Sequence, residues 1–172
     1  MSEPRDLLQL NVGFIIHQTA GYLRDFPLEY PGVYHFPPDL TLNNLAGKAR
    51  VTRTAQGLLV QVQMQAHTAA ECVRCLEPFE QALEVEFTDL YAFNQNSITE
   101  SGLLVPENGK INLAPILREE MLLALPISPL CKVDCKGLCP VCGENLNQVT
   151  CNHEDESIDP RLELLRSLKK ND

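Results

Sequence analysis

The feature that most constrains this chain is a short segment crowded with metal-binding residue types. Between residues 131 and 153 the chain carries five of its seven cysteines and one of its four histidines. Thiolates and an imidazole at such short spacings are what a tetrahedral zinc ion requires. The segment therefore predicts a structural zinc site. Its six candidate ligands are Cys131, Cys135, Cys139, Cys142, Cys151 and His153.

The most specific part of this segment is Cys139-Pro-Val-Cys142-Gly143. Two cysteines separated by two residues can turn the chain back and place both sulfurs about 2.3 Å from one metal ion. Gly143 allows a positive φ as the chain leaves the turn, while Pro140 stiffens the approach to Cys142. Cys139 and Cys142 are therefore the firmest ligand predictions.

The sequence leaves the other two ligands open. Cys131 and Cys135 would complete a four-cysteine site, whereas Cys151 and His153 would give a site of three cysteines and one histidine. Both ligand sets are typical of structural zinc, and spacing does not choose between them.

Disulfides and a reactive thiol are the two alternatives to metal. The start of the chain, Met1 to Asp6, leads into no apolar stretch typical of a signal peptide, and no apolar run reaches the roughly 20 residues of a membrane span. An odd number of cysteines also fits a disulfide framework badly. A catalytic cysteine would need a histidine base in an electropositive cleft, but His153 is followed by Glu154-Asp155-Glu156. Metal binding is favoured.

Length and composition predict one domain with a metal-folded appendage. The chain has 172 residues, of which 44% are hydrophobic and 22% charged, which suits a single core. We expect a β-sheet domain with its packing helix over residues 1–126, and a cysteine-rich zinc-binding tail with a C-terminal helix over residues 127–172.

Alternating hydrophobicity predicts three neighbouring strands. A run from Thr41 to Thr54 leads through Gln56-Gly57, which resembles a hairpin turn, into a second alternating run. Residues 1–40, with several glycines and prolines, predict short strands and turns. We expect an antiparallel β-meander or partial barrel. The apolar faces of its second and third strands are Leu58, Val60, Val62, Met64 and Ala66, then Phe79, Leu83, Val85 and Phe87.

Two helices are predicted after the strands, so the fold class is α+β. The first is amphipathic, with Asn112 as N-cap, Pro115 in the first turn and Pro126 after its end, and we expect it to cover the sheet. A short C-terminal helix should begin at Asp159-Pro160 and carry Leu162, Leu165 and Leu168 on one side.

A second cysteine pair, Cys72-Val-Arg-Cys75, falls between two predicted strands. A thioredoxin-type motif would open a helix, so redox catalysis is disfavoured here. The pair can be half of a second metal site, joined by Cys151 and His153 if the other four cysteines hold the first ion. A turn with two reduced thiols is the preferred interpretation.

Several motifs together resemble one known family. They are Cys72-Val-Arg-Cys75-Leu-Glu-Pro-Phe, then Leu125-Pro-Ile-Ser-Pro-Leu-Cys131, then Gly137-Leu-Cys-Pro-Val-Cys-Gly-Glu-Asn-Leu-Asn147, and finally Asp159-Pro-Arg161. In this order they are similar to the YceD family of large ribosomal RNA subunit accumulation proteins, from about the second strand onward. The resemblance implies a non-enzymatic role in making or stabilising 23S ribosomal RNA during assembly of the large subunit, in bacteria or plastids.

One position departs from the family pattern. Members with the C-terminal cluster often end it in Cys-x-Cys, and here His153 takes the second place. Imidazole is an acceptable zinc ligand, so zinc can still be bound with His153 in this place. Because some members lack the cluster, zinc is expected to hold the tail in shape and not to perform the family's function.

Charge argues against broad RNA binding. The chain has 14 Lys plus Arg against 23 Asp plus Glu, a formal net charge of -9. Phosphate contacts need the opposite sign, so a basic ribosomal protein is as plausible a partner as RNA. The acidic candidates for docking it are Glu71, Glu77, Glu80, Glu84 and Glu86. The basic groups that can touch RNA are Lys48, Arg50, Arg53, Lys132, Lys136, Arg161, Arg166, Lys169 and Lys170.

Three functional classes follow, and the first is preferred. It is a cytoplasmic assembly factor acting on ribosomal RNA or a large-subunit ribosomal protein, with no membrane or small-molecule substrate. The second is a zinc-stabilised interaction module outside ribosome assembly. The third is a thiol redox enzyme using Cys72 and Cys75. It predicts a depressed thiol pKa, and apart from Arg74 the local sequence, with Glu71 and Glu77, offers little to depress it. No acid-base pair or phosphate loop is present, so no catalytic residue is assigned.

Overall fold

The computed structural model describes residues 8–99 and 101–153. Within these residues six strands and two short helices occur, with a 3₁₀ turn at Gln95–Ser97. No helix in the described ranges is long and apolar enough to cross a membrane. In chain order the elements are β1 (Gln9–Asn11), α1 (Gly13–Ile16), β2 (Leu23–Phe36), β3 (Leu40–Arg53), β4 (Gly57–Glu71), β5 (Pro78–Ala92), β6 (Lys110–Asn112) and α2 (Ala114–Leu123).

The fold is built on a four-stranded antiparallel sheet in the order β2-β3-β4-β5, which confirms the predicted antiparallel meander. The β4–β5 register is continuous, and Val62 of β4 lies opposite Phe87 of β5. β3 pairs with β4 in one register from Ala46 to Arg53, with Ala49 opposite Val62. A two-stranded antiparallel sheet of β1 and β6 stands beside it. Within the four-stranded sheet each strand is connected to the next by a short turn, so this sheet forms from contacts close in sequence.

One face of the sheet is buried because apolar side chains alternate along its strands. All five predicted inward residues of β4, from Leu58 to Ala66, are buried. On β5, Leu83, Val85 and Phe87 are buried as predicted, while Phe79 is only half-buried. The same core contains the buried residues of β1, α1, β6 and α2.

The N-terminal region differs from its prediction. In place of short strands and turns, Leu23–Phe36 forms one strand of 14 residues that includes Pro27 and Pro31. The strand lies at the edge of the sheet, where a proline need not donate to a neighbouring strand. A bulge between Tyr30 and Val33 absorbs the Pro31-Gly32 dipeptide.

Helix α2 packs three residues, Ala114, Leu117 and Met121, into the core. Asn112 accepts a hydrogen bond from the backbone N–H of Ala114 at 3.0 Å, although the helix begins two residues after the predicted cap. The chain leaves α2 at Ala124 and enters the cysteine-rich segment. The predicted helix from Asp159 lies outside the described residues.

The position of the cysteines follows from the length of β4 and β5. These strands pair from Gly57 opposite Ala92 to Glu71 opposite Pro78. Their connecting loop carries Cys72 to Cys75 and is therefore held at a fixed place at the far end of the sheet.

Gly47 tests the close packing of β3 against β4. A Cβ at this position would overlap the carbonyl oxygen of Gln63 and lie 2.9 Å from the Cα of Met64. Because both atoms belong to a central strand, Gly47→Ala should lower the free energy of unfolding by about 3 kcal/mol. Gly102→Ala is the control, since nothing lies within 4 Å of its added Cβ and only its φ of +68° opposes the change, at about 1 kcal/mol. Urea unfolding measures both free energies. Equal losses in Gly47→Ala and Gly102→Ala would contradict the close packing of β3 against β4.

Candidate metal centre

The structure gathers the cysteines into two groups of four metal-binding side chains. Within each group every potential ligand atom lies within 4.8 Å of the others. The tetrathiol group consists of Cys72, Cys75, Cys131 and Cys135. The mixed group consists of Cys139, Cys142, Cys151 and His153. Each group can hold a metal ion.

The tetrathiol group joins two parts of the chain that are far apart in sequence. Cys72 and Cys75 come from the β4–β5 loop, and Cys131 and Cys135 come from the segment after α2. The Sγ atoms of Cys72 and Cys135 are 3.8 Å apart, and those of Cys75 and Cys131 are 3.6 Å apart. Four sulfurs about 2.3 Å from one zinc would be about 3.8 Å from each other, so these distances fit tetrahedral coordination.

The mixed group is local and more open. Its Cys142 and Cys151 sulfurs are 3.6 Å apart. Cys139 is buried, but Cys142 and His153 are exposed. In the tetrathiol group, by contrast, Cys72, Cys75 and Cys135 are at most 4% exposed. One group is therefore enclosed by protein and the other faces solvent.

All six candidate ligands from the sequence lie in these groups, but they are divided between them. The structure brings together the three-cysteine, one-histidine set, and it does not bring the four cysteines from Cys131 to Cys142 to one point. Cys131 and Cys135 instead meet Cys72 and Cys75, a combination the sequence analysis did not consider. The available signal was the Cys-x-x-Cys spacing of Cys72 and Cys75, which repeats that of Cys139 and Cys142.

The loops that carry the two Cys-x-x-Cys pairs have the same backbone hydrogen bonds. The N–H of Cys72 donates to Glu77 O at 3.0 Å, and the N–H of Leu76 donates to Cys72 O at 2.9 Å. In the second loop, the N–H of Cys139 donates to Glu144 O at 2.8 Å and that of Gly143 to Cys139 O at 2.9 Å. The two loops are thus the same structural motif.

Both loops also place a residue of positive φ directly after the second cysteine. Gly143 has a φ of 77°, which glycine adopts without penalty. Leu76 has a φ of 59°, which is unfavourable for a residue with a β-carbon. The tertiary structure therefore imposes this turn on the first loop despite its sequence.

Side chains and backbone around the tetrathiol group favour the thiolate at two of its positions. The sequence offered little to depress a thiol pKa at Cys72, but a backbone hydrogen bond from Cys131, which is distant in sequence, lowers the pKa of the Cys72 thiol to about 6. Asn147 donates from Nδ2 to the Sγ of Cys135 at 3.3 Å and lowers the pKa of that thiol. The thiolate is the form that binds metal.

The pKa values of other thiols in the two groups are shifted in the opposite direction, upward. Desolvation and a hydrogen bond with Cys75 raise the pKa of Cys131 to about 12. In the mixed group, a hydrogen bond with Cys142, followed by desolvation, raises the pKa of Cys151 to about 12. Several thiolates cannot share so small a space without a cation, and a divalent metal ion would remove that conflict.

The cysteine-rich segment is also fastened to the β4–β5 loop by direct hydrogen bonds. The N–H of Val73 donates to Pro129 O at 3.0 Å, and the N–H of Leu138 donates to Arg74 O at 3.0 Å. Glu77 accepts hydrogen bonds from the side chains of Asn145 and Gln148. Both metal-binding groups therefore lie at the end of the sheet, in one lobe formed by the β4–β5 loop and residues 127–153.

Comparison with known proteins assigns the family. The family model described as Large ribosomal RNA subunit accumulation protein YceD matches residues 60–169, which include both groups. The chain belongs to the YceD family. This confirms the resemblance seen in the sequence motifs, and the family's description suggests a ribosome-related role at the level of the family.

The similar proteins among curated sequences are bacterial. An uncharacterized protein of Mycobacterium tuberculosis is 37% identical over 118 residues, which cover 65% of this chain and 56% of the relative. An uncharacterized protein of Mycobacterium leprae is 32% identical over 64% of this chain and 52% of the relative, and YlbN of Bacillus subtilis is 28% identical over 59% and 60%. The match thus spans a little over half the length of these YceD relatives. No solved structure matches the chain.

Leu76 offers a test of the shared loop motif. Leu76→Gly should raise the free energy of unfolding of the metal-loaded protein by about 0.5 kcal/mol, because glycine relieves the positive φ while adding some unfolded-chain entropy. Val73→Gly is the matched control in the same loop. Val73 is also exposed and has no positive φ, so its replacement should lower stability by up to about 1 kcal/mol. Chemical denaturation measures both, and a loss of stability in Leu76→Gly would contradict the strained turn.

Proposed function

We propose that this chain is a non-enzymatic factor that supports accumulation of 23S ribosomal RNA during assembly of the large ribosomal subunit. The observation that supports it most is the family match over residues 60–169, which contain most of β4, all of β5, α2 and both metal-binding groups. Assembly factors of this kind work by binding, and we place this one in the cytoplasm, where bacterial subunits are made. The chain would use no small-molecule substrate.

Charge on the outer face of the sheet favours a basic protein as its direct partner. Glu80, Glu84 and Glu86 are exposed and alternate with the inward residues of β5, so they project from one face. Glu84 and Glu86 lie opposite Gln65 and Gln63 of β4, whose side chains are uncharged. A strip of negative charge repels phosphate and attracts the lysine- and arginine-rich surfaces of ribosomal proteins.

Other predicted charged residues have different surroundings. Glu77 is engaged by the side chains of Asn145 and Gln148 and serves the lobe itself. Lys132 and Lys136 are exposed beside the tetrathiol group, where contact with RNA is sterically open. Arg50 is held by Asp25 through two hydrogen bonds of 2.7 and 2.8 Å. Among the described residues, we propose that RNA contacts are confined to the lobe; the other predicted contacts, Arg161, Arg166, Lys169 and Lys170, lie outside the described residues.

We further propose that the mixed group binds zinc as a structural ion. Three sulfurs and one imidazole nitrogen are a common structural zinc set, and Cys142 and Cys151 have the required separation. Such an ion would fix the chain from Cys139 to His153. It would supply shape to the lobe and no step of chemistry.

Replacement of a host's own family member tests the ribosomal role. In a bacterium lacking that member, expression of this chain should restore the ratio of 23S to 16S ribosomal RNA, measured on total RNA during exponential growth. The purified chain should also sediment with large-subunit precursors at moderate salt. An unchanged RNA ratio and absence from the precursor fractions would instead favour an interaction module outside ribosome assembly.

The acidic strip can be tested by neutralisation at constant shape. A triple variant with Glu80→Gln, Glu84→Gln and Glu86→Gln should bind large-subunit precursors at least about tenfold more weakly, because three attractive charges are removed from one surface. The control is Glu29→Gln with Glu107→Gln and Glu119→Gln, which makes the same change of net charge at other exposed positions. Equal affinities of the two variants in a sedimentation assay would show that only net charge matters. Tighter binding of the first variant would indicate RNA as the partner at this face.

A further inference from the structure

We propose that Cys72, Cys75, Cys131 and Cys135 form a second, sulfur-only zinc centre that clasps the cysteine-rich segment to the β4–β5 loop. This centre is independent of zinc in the mixed group and holds whether or not the chain acts on ribosomal RNA. The sequence favoured a turn with two reduced thiols at Cys72 and Cys75. Four observations in the structure favour a metal centre.

The first observation is that the two loops share the same backbone hydrogen bonds. A turn that only reverses the chain between two strands has many available geometries, but the 72–77 loop reproduces both backbone hydrogen bonds of the 139–144 loop. It does so with leucine at a position of positive φ, where the second loop has glycine. A strained turn persists where its surroundings require it, and the presentation of two sulfurs to one point is such a requirement.

The second observation is the arrangement of the opposing pair. Cys131 and Cys135 arrive from a different part of the chain and place their sulfurs 3.6 and 3.8 Å from those of Cys75 and Cys72. These separations are close to the edge of a zinc–sulfur tetrahedron, about 3.8 Å. The sulfurs are too far apart for disulfides, and all seven cysteines are free.

The third observation is charge compensation around the thiols. Zinc bound by four thiolates carries a formal charge of minus two, and a buried charge of this size needs nearby donors or cations. Asn147 donates to Cys135 Sγ, and Arg74 donates from Nη1 to Cys135 O at 3.0 Å. Lys132 and Lys136 flank the same cysteines. Three basic residues of this acidic chain thus lie close to the four thiols, with Asp134 as the acidic residue between the two lysines.

The fourth observation is that the two centres together use every cysteine. Four thiols in one group and three thiols with His153 in the other account for all seven cysteines of the chain. The odd number, which fits a disulfide framework badly, follows directly from two four-coordinate sites with one imidazole. No thiol is left over for redox chemistry.

Metal content per chain, with variants from each group, tests the second centre. Protein purified under reducing conditions without chelator should contain two zinc ions. Cys75→Ser should retain one ion, and after cobalt substitution its spectrum should be that of three sulfurs and one nitrogen. Cys142→Ser is the matched control, because it should also retain one ion but show the spectrum of four sulfurs. One zinc in the unmodified chain, retained in Cys75→Ser and lost in Cys142→Ser, would overturn the proposal.

X-ray absorption spectroscopy of the unmodified chain tests the same centre without any variant, so the result does not depend on whether a variant folds. Two centres require an average of about 3.5 sulfur neighbours per zinc, since seven sulfurs and one nitrogen are shared by two ions. One zinc with three sulfur neighbours and one nitrogen would overturn the tetrathiol centre. One zinc with four sulfur neighbours would support it and would instead overturn the zinc proposed for the mixed group. None of these results depends on the ribosomal role, which is measured separately through 23S ribosomal RNA.

Discussion

The pairing of β4 with β5 is the interaction on which the rest of the molecule depends. It runs without a break over fifteen residue pairs, from Gly57 opposite Ala92 to Glu71 opposite Pro78. Because antiparallel pairing fixes the positions of both strand ends, it also fixes the loop that carries Cys72 and Cys75. The cysteine-rich segment then has a rigid surface to fold against. Backbone hydrogen bonds from Val73 and Leu138 join the two before any metal is considered.

Charge is distributed unevenly along this same axis. The outer face of β5 carries three exposed glutamates, while Arg74, Lys132 and Lys136 lie beside the tetrathiol group. Glu71, Glu77, Asp134 and Glu144 lie in the same loop and segment, so by formal charge this end of the sheet is close to neutral and not basic. An acidic face beside a nearly neutral end suits contact with basic protein in a ribonucleoprotein better than contact with naked RNA.

Much of the sheet could be predicted from the sequence, because alternation is a local property. The pattern from Leu58 to Ala66 needed only a period of two to place five residues in the core. The strand β2 was missed because Pro27 and Pro31 weigh against a long strand unless it lies at an edge. Whether a strand is an edge strand depends on the whole sheet order, which no local pattern contains.

For the metal-binding groups, too, only the features that are local in sequence could be predicted. The mixed group lies within fifteen residues, and spacing was enough to name it as one of two possible sets. The tetrathiol group requires Cys75 to meet Cys131, 56 residues later, and this contact depends on the sheet. The local signal at Cys72 and Cys75 was also weakened because leucine stands where Cys139-Pro-Val-Cys142 is followed by glycine. Because Leu76 occupies the positive-φ position, the turn could not be recognised from the sequence.

The packing of the lobe explains why it would need metal at all. In its described part, residues 127–153 contain no helix or strand, and Ile127 and Val133 are almost fully exposed. The small core of the lobe consists of Cys72, Cys75 and Cys135, with Phe79, Leu130 and Cys131 packed against it. Too little apolar area is buried there to offset the entropy of ordering the segment. Because the thiols are themselves the core, a metal ion would supply cohesion at the one place where the apolar side chains do not, and would close a loop of more than fifty residues in doing so.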